Sequence, residues 1–311
     1  MAFEKIILVT RKTRLEGLIQ RFNTAAQAKF YIEHSGGDFG YYQREHDVYY
    51  HGLDQMRSQL RKIQKIQEIE RSFLPNFIFT AKDIVVTYGI DGLVVNTAKY
   101  LSGQPLVAVN PDPAQIDGIL LPYTVDTAGA AIQNVLSENF QSKPITMAKS
   151  KTRDGQELYA FNDFFVGVEN HTSARYLLRQ GQQQEHQSSS GIIISTGAGS
   201  TGWLSSFYNF ANGMIAQMKG QNAIQLHAPT QDWGSDRLFY VVREPFASKT
   251  SGAAMVCGWI QPSNPLIIES QMSSGGVIFS DGVESDFLSF NAGTVVTIGV
   301  ADKKTNLVVP K

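Results

Sequence analysis

The chain has 311 residues, 42% hydrophobic and 18% charged, with a formal net charge of −1. That length and composition predict roughly two globular domains with sizeable cores, and the near-neutral charge excludes an overall basic field for nucleic acid. The single cysteine, Cys257, excludes an intrachain disulfide and a cysteine-based zinc site, and it fits a reducing compartment.

No apolar run approaches the ~18 residues that a spanning helix requires. Residues 1–10 form a short apolar strand after a start Met and carry no signal-peptide cleavage pattern. The sequence therefore reads as a soluble, cytoplasmic protein without a nucleic-acid or membrane partner.

Ile6, Ile7, Leu8 and Val9 form a compact buried strand. Arg11, Lys12 and Arg14 follow at its carboxyl end, either as a solvated loop or as phosphate contacts. Thr13 and Glu16 have capping-box spacing. They predict a helix running to about residue 34, with Leu15, Leu18, Ile19, Phe22, Ala26 and Phe30 on one side. Gly36-Gly37-Asp38 follows that helix, so it reads as a helix stop and not as a ligand loop. Residues 41–62 read as a polar helix carrying Leu53, Met56 and Leu60, and a short strand is expected near residues 66–69. Pro75 breaks the chain before Phe77.

Residues 83–110 read as strand, turn, helix and strand. The first strand holds Ile84, Val85 and Val86, and the second runs over residues 106–109. Gly89, Ile90, Asp91 and Gly92 form the turn at the first strand's carboxyl end. Ligands of open α/β sheets bind outside the carboxyl ends of strands. Glycines permit close backbone approach, and the N–H groups of a following helix favour an anion. Asp91 is either a helix N-cap or a general base beside a phosphate. Asn110, before Pro111, sits at the second carboxyl end. One more helix is expected over residues 124–140.

After Pro144 the pattern changes to short strands near residues 145–149, 157–168, 191–195, 238–242, 253–260, 266–269, 277–280 and 295–300. Residues 182–190 are polar and low in complexity, and read as a flexible loop. A helix interrupts the strands over residues 203–218. The expected fold class is an α/β N-terminal domain with a doubly wound sheet, residues 1–142, plus a β-rich C-terminal domain, residues 143–311. The extreme C-terminus is a candidate to pack back on the first domain.

Residues 192–203 carry a buried strand into the turn Thr196-Gly197-Ala198-Gly199-Ser200-Thr201-Gly202 and then a helix. Small residues there let N–H groups and hydroxyls converge on a polar ligand. The alternative is a tight turn with Ser200 or Thr201 as N-cap. No Gly-x-x-x-x-Gly-Lys-Ser/Thr exists, which excludes a P-loop. Asn162-Asp163 places an amide and a carboxylate at a strand edge, where both can accept from sugar hydroxyls. Ser280-Asp281-Gly282 reads first as a hairpin turn, with a second-carboxylate role as the alternative. Ser205 and Ser206 lie on a helix without a nucleophile elbow. The six histidines show no metal-ligand spacing, so no protein metal site is expected.

Gly89-Ile90-Asp91-Gly92, Asn162-Asp163 and residues 195–203, in this order, resemble the three motifs of the NAD kinase family. The third motif is most similar to the divergent, mitochondrial-like branch. The resemblance implies an active site between an α/β and a β-rich domain. It implies ATP-dependent phosphorylation of the 2′-hydroxyl of the adenosine ribose of NAD, giving NADP. ATP would be the donor, with Mg²⁺ or another divalent ion screening its phosphates. Asp91 would be the general base, and Gly89 and Gly92 would shape the phosphate turn. Asn162 and Asp163 would hold the dinucleotide, NAD or NADP. Ser200, Thr201 and Gly202 would line the adenine-side pocket. Asn96, Asn110, Thr196, Gly197, Gly199 and Ser206 complete the nucleotide- and substrate-binding candidates. A homo-oligomer is a further expectation of the resemblance.

Two positions depart from the family pattern. Ile90 stands where the family has its second glycine, and Leu93 where it has a threonine. A β-branched residue does not take positive φ comfortably. Either this turn never needs that conformation, or the donor side has changed. Two other readings stay open: a non-catalytic NAD(P)-binding protein, and a kinase for another hydroxyl substrate such as a sugar.

Overall fold

Four apolar runs build a parallel sheet: β1 (Lys5–Thr10), β2 (Ile66–Glu70), β3 (Asp83–Tyr88) and β4 (Pro105–Asn110). A computed structural model describes residues 3–219, 224–229 and 231–311 of the chain, the side chains of Glu284 and Ser285 excepted. Two compact units emerge, the first Met1–Lys143 with Thr305–Lys311, the second Pro144–Lys304. In the first unit the sheet order is β2-β1-β3-β4. From β1 the chain goes to β2 on one side and then to β3 on the other. The winding direction therefore reverses between β1 and β3, which is the doubly wound arrangement, and the crevice at that switch point is where such sheets bind ligands.

Strands β3 and β4 are buried along their whole lengths, as strands of a parallel sheet must be when covered on both faces. α1 (Arg14–Phe22) starts at the Thr13–Glu16 capping box. It does not run on to residue 34. Asn23 takes a left-handed φ of 66° and Thr24 caps a second helix, α2 (Ala25–His34). The apolar stripe expected along one long helix is thereby split, and Phe30 is left 70% exposed. Asp38 then caps α3 (Phe39–Ile63). Tyr49, Leu53, Met56 and Leu60 recur at helical spacing on its buried face. They join Ile6, Leu8, Ile84, Val86 and Val107 in one core. The unit also holds α4 (Asp91–Ala98), β5 (Tyr123–Thr124) and α5 (Val125–Leu136).

The second unit is almost all β. Most of β6 (Gln141–Thr152) lies in it, followed by β7 (Glu157–Ala160), β8 (Asp163–Val168), β9 (Ala174–Gln180), β10 (Gln183–Ser189) and β11 (Ile192–Ser195). After α6 (Trp203–Lys219) come β12 (Leu238–Val242), β13 (Cys257–Ile260), β14 (Leu266–Ser270), β15 (Gly276–Ser280), β16 (Val283–Ser289) and β17 (Val295–Val309). One antiparallel sheet has the order β13-β12-β11-β8-β15-β16. Its inward residues Phe164, Val166, Ile192 and Ile194 share a core with Tyr176, Leu178, Ile268 and Ile298, which come from β9, β14 and β17.

Residues 182–190 are not a loop. They form β10, paired with β9 from Gln183 opposite Gln180 to Ser189 opposite Ala174. Gly181, at φ 57°, makes the turn. β10 is polar because it is the outer strand, with mostly exposed residues at its start. The segment expected as one strand over residues 157–168 is two, β7 and β8. The chain turns between them at Phe161 and Asn162. β17 leaves the second unit at Lys304. In the first unit its last residues run parallel to β4, Asn306 opposite Pro105 and Leu307 opposite Leu106.

Candidate functional site

In the first unit the site grows from the carboxyl ends of β1 and β3. Gly89 follows β3 and donates its N–H to Val109 O at 3.2 Å. Arg11 packs close beside it: a methyl group added at Gly89 would lie 3.0 Å from Leu93 and 3.4 Å from Arg11. Ile90 is the N-cap of α4 with φ −96° and ψ 168°, which is ordinary extended backbone. The turn therefore does not need the left-handed conformation, and a β-branched residue fits it without strain.

Asp91 is the first residue of α4 and is half-buried. Its Oδ1 accepts from Leu120 N–H at 3.0 Å. That contact fixes the orientation of the carboxylate. Asn110 shapes the segment that carries Leu120. Its Nδ2 donates to Ile116 O at 2.9 Å and its Oδ1 accepts from Asp112 N–H at 3.0 Å. Gly92 and Asn96 are coupled within α4: Asn96 is buried, and its Nδ2 donates to Gly92 O at 2.5 Å. Asn96 thus spends that donor on its own helix.

In the second unit the Asn162-Asp163 pair and the residue 196–202 turn are knitted together. Thr196 N–H donates to Asn162 O at 2.9 Å, and Thr196 Oγ1 donates to Phe161 O at 2.6 Å. Thr196 Oγ1 in turn accepts from Gly199 N–H at 3.2 Å. Gly197 and Gly199 are glycines because other backbone passes where a Cβ would stand. An added Cβ would lie 2.2 Å from Asp232 O at Gly197, and 2.2 Å from Asn162 O at Gly199. Ser200 Oγ donates to Gly197 O at 2.7 Å and is buried. Thr201 and Gly202 are exposed. Ser206 is exposed on α6 and donates to Trp203 O at 2.6 Å, so it is the member of this group least tied to the turn.

The residue that holds the pair in place is Asp281. Its carboxylate accepts from the N–H groups of Phe161 at 3.0 Å, Asn162 at 2.7 Å and Asp163 at 3.2 Å. Asp281 and Gly282 take φ 55° and 68° in the β15–β16 hairpin turn. The Asp-Gly signal was thus a turn first, with a carboxylate that anchors another turn as its second role.

Asp163 is buried, and its carboxyl is pushed up to about 7, first by burial and then by the charge of Asp281. The folded protein therefore holds a proton that an unfolded aspartate, at ~3.9, has released. The stability this gives is full below pH ~4 and is lost as the pH rises through about 7. Asp163→Asn removes this titration. The unfolding free energy of the wild type minus that of Asp163→Asn is expected to fall between pH 5 and 8, by up to ~1.4 kcal/mol per pH unit. Denaturant melts at the two pH values measure it, and a constant difference would contradict the assignment.

Among the described residues no group of three or more His, Cys, Asp or Glu is placed to hold a metal ion. No helix among them is long and apolar enough to cross a membrane.

No protein-family model matches the chain, and no curated protein matches it. Solved structures do. An NAD kinase from Archaeoglobus fulgidus in complex with ATP is similar over 97% of this chain and 92% of its own, at TM-score 0.55 and 13% identity. Yeast NADH kinase complexed with NADH is similar over 100% of this chain and 84% of its own, at TM-score 0.57 and 12% identity. The chain has an NAD kinase-like fold, an α/β unit and a β-rich unit.

Proposed function

We propose that the protein is an NAD kinase: it transfers a phosphate from ATP to the 2′-hydroxyl of the adenosine ribose of NAD, with Asp91 as general base. The observation that carries this reading is the placement of Asp91. It stands at the carboxyl end of β3, beside the switch point of a doubly wound sheet, with one carboxylate oxygen fixed by Leu120 N–H. The fold likeness to an NAD kinase and an NADH kinase supports the substrate class.

Phosphoryl transfer asks a protein mainly to position groups and to neutralise charge. Asp91 Oδ2 would accept the ribose hydroxyl proton while Oδ1 keeps the carboxylate aimed. Gly89 and Gly92 would give the phosphates close approach to the turn. Asn162 and Asp163, held by Asp281 and Thr196, would bind ribose hydroxyls of the dinucleotide, and the residue 197–202 turn its adenine side. The described residues offer no carboxylate set for a resident metal. The divalent ion would therefore enter as part of the donor, the magnesium complex of ATP.

The test is direct. Purified protein given NAD or NADH with magnesium and ATP should make NADP or NADPH, measured by an enzymatic cycling assay. Dinucleotide binding by calorimetry without any turnover would replace this reading with a binding protein. Turnover of a different acceptor in a hydroxyl-substrate panel would replace NAD.

A further inference from the structure

Where β1 and β3 end, a side chain from α3 enters their ladder. The β1–β3 register runs from Lys5 opposite Asp83 to Val9 opposite Thr87. Ile6 N–H donates to Lys65 O on the β2 side, so the odd-numbered N–H groups of β1 face β3. Carried two residues further, the register makes Arg11 N–H and Tyr88 O the next rung. The Tyr49 hydroxyl occupies that rung. It accepts from Arg11 N–H at 3.0 Å and donates to Tyr88 O at 3.3 Å. These two bonds in series hold the strand ends further apart than a single ladder bond of ~2.9 Å would. Burial pushes the Tyr49 phenol up to about 12, so at neutral pH it keeps the proton it donates.

The pair is locked in the core. Tyr49 and Tyr88 are both buried, with ring centroids 5.0 Å apart. Tyr88 Oη donates to Tyr49 O at 3.0 Å, a bond that ties the Tyr88 side chain to α3 and does not reach the strand ends. α3 admits this hydroxyl at Gly52, where an added Cβ would collide with it.

The consequence reaches the site through one peptide group. Tyr88 O and Gly89 N–H belong to the same planar unit. Its oxygen is held by Tyr49, and its N–H by Val109 O at 3.2 Å. A peptide fixed at both ends sets the direction in which the chain enters Ile90 and Asp91. Leu120 N–H orients the Asp91 carboxylate, and Tyr49 holds the backbone that carries it.

We infer that Tyr49 is a positioning residue for the phosphoryl transfer: its hydroxyl, wedged between the ends of β1 and β3, aims the turn that carries Asp91. This rests on the kinase reading for the word transfer, but not for the wedge itself.

Two variants of the full chain test it. Tyr49→Phe loses the wedging hydroxyl and keeps the ring, whereas Tyr88→Phe loses a buried hydroxyl beside it and keeps the wedge. With NAD and magnesium ATP, Tyr49→Phe is expected to lower kcat by about tenfold or more, with KM for NAD little changed, because a small misplacement of reacting groups costs that much. Tyr88→Phe is expected to lower stability and to leave kcat close to wild type. Equal kcat values for the two variants overturn the inference and leave the kinase standing. NMR reads the wedge without turnover. Arg11 and Gly89 N–H are expected to exchange with solvent faster in Tyr49→Phe than in Tyr88→Phe, by about fivefold or more, the worth of one hydrogen bond. Equal exchange overturns the wedge. In the wild type the Tyr49 hydroxyl proton should show a nuclear Overhauser contact with Arg11 N–H, and its absence overturns the wedge even where a variant does not fold. If the wild type makes no NADP while both NMR results hold, the kinase falls and the wedge stands.

Discussion

Asp91→Asn is expected to lower NADP formation by ~10²–10⁴-fold, the usual worth of a positioned general base, with NAD affinity little changed. The asparagine Oδ1 can still accept from Leu120 N–H, so the turn keeps its geometry. What disappears, on the proposed mechanism, is the capacity to take the ribose proton. Asp91→Ala removes the Leu120 contact as well and should disturb both the donor KM and the rate. Steady-state kinetics with calorimetric NAD binding resolve the two variants. Turnover of Asp91→Asn within about tenfold of wild type would place the base elsewhere, since that loss is below what general-base removal produces.

Much of the framework was legible because local chemistry dictated it. Ile6 to Val9, and Ile84 to Val86, could only be buried strands, and a strand–turn–helix order at Asp91 follows from glycines flanking a carboxylate. The Thr13–Glu16 capping box marked the start of α1 where the helix begins. The misses share a cause: they depend on partners distant in sequence. β10 is polar and was read as a loop, since an outer strand needs an apolar face only where β9 and the core meet it. Asn23 in a left-handed conformation ends α1 in the middle of an apolar periodicity that continues past it. Ile90 is not a miss: of the two readings that the sequence leaves open, its φ of −96° supports the turn that never needs the left-handed conformation.

At the site, the sequence pointed to the carboxylates and glycines but not to what fixes them. Leu120 N–H lies 29 residues beyond Asp91, and no side-chain pattern announces a backbone donor. The Asp281 carboxylate lies 119 residues from Asn162 N–H. Its only signal was the Asp-Gly pair, which a hairpin explains by itself. From the sequence, Gly197 and Gly199 are small residues that let N–H groups and hydroxyls converge on a ligand. Their stricter reason is steric, since Asp232 O and Asn162 O occupy the space a side chain would need.

Asp281→Ala is expected to cost about 3 kcal/mol or more of stability, because it strips a charged acceptor from three backbone N–H groups at once. Alanine also tolerates φ 55° poorly, which adds to the loss. The consequence for the proposed function follows from position: the anchored N–H groups belong to Phe161, Asn162 and Asp163, so the pair proposed to hold the dinucleotide loses its fixed geometry and NAD affinity should fall with stability. Asp281→Asn separates these effects. Asparagine accepts positive φ more readily and keeps one carbonyl acceptor, so most of the fold should persist. It also removes the negative charge that helps hold the Asp163 proton. The carboxyl of Asp163 should then release its proton at lower pH. The stability contributed by that proton should be lost over a lower pH window, although burial, the larger cause, keeps the value raised. Thermal melts of both variants at pH 5 and 8, with NAD titrations, read every arm. A melting temperature for Asp281→Ala within about 2 °C of wild type would show that the three N–H groups do not depend on this carboxylate.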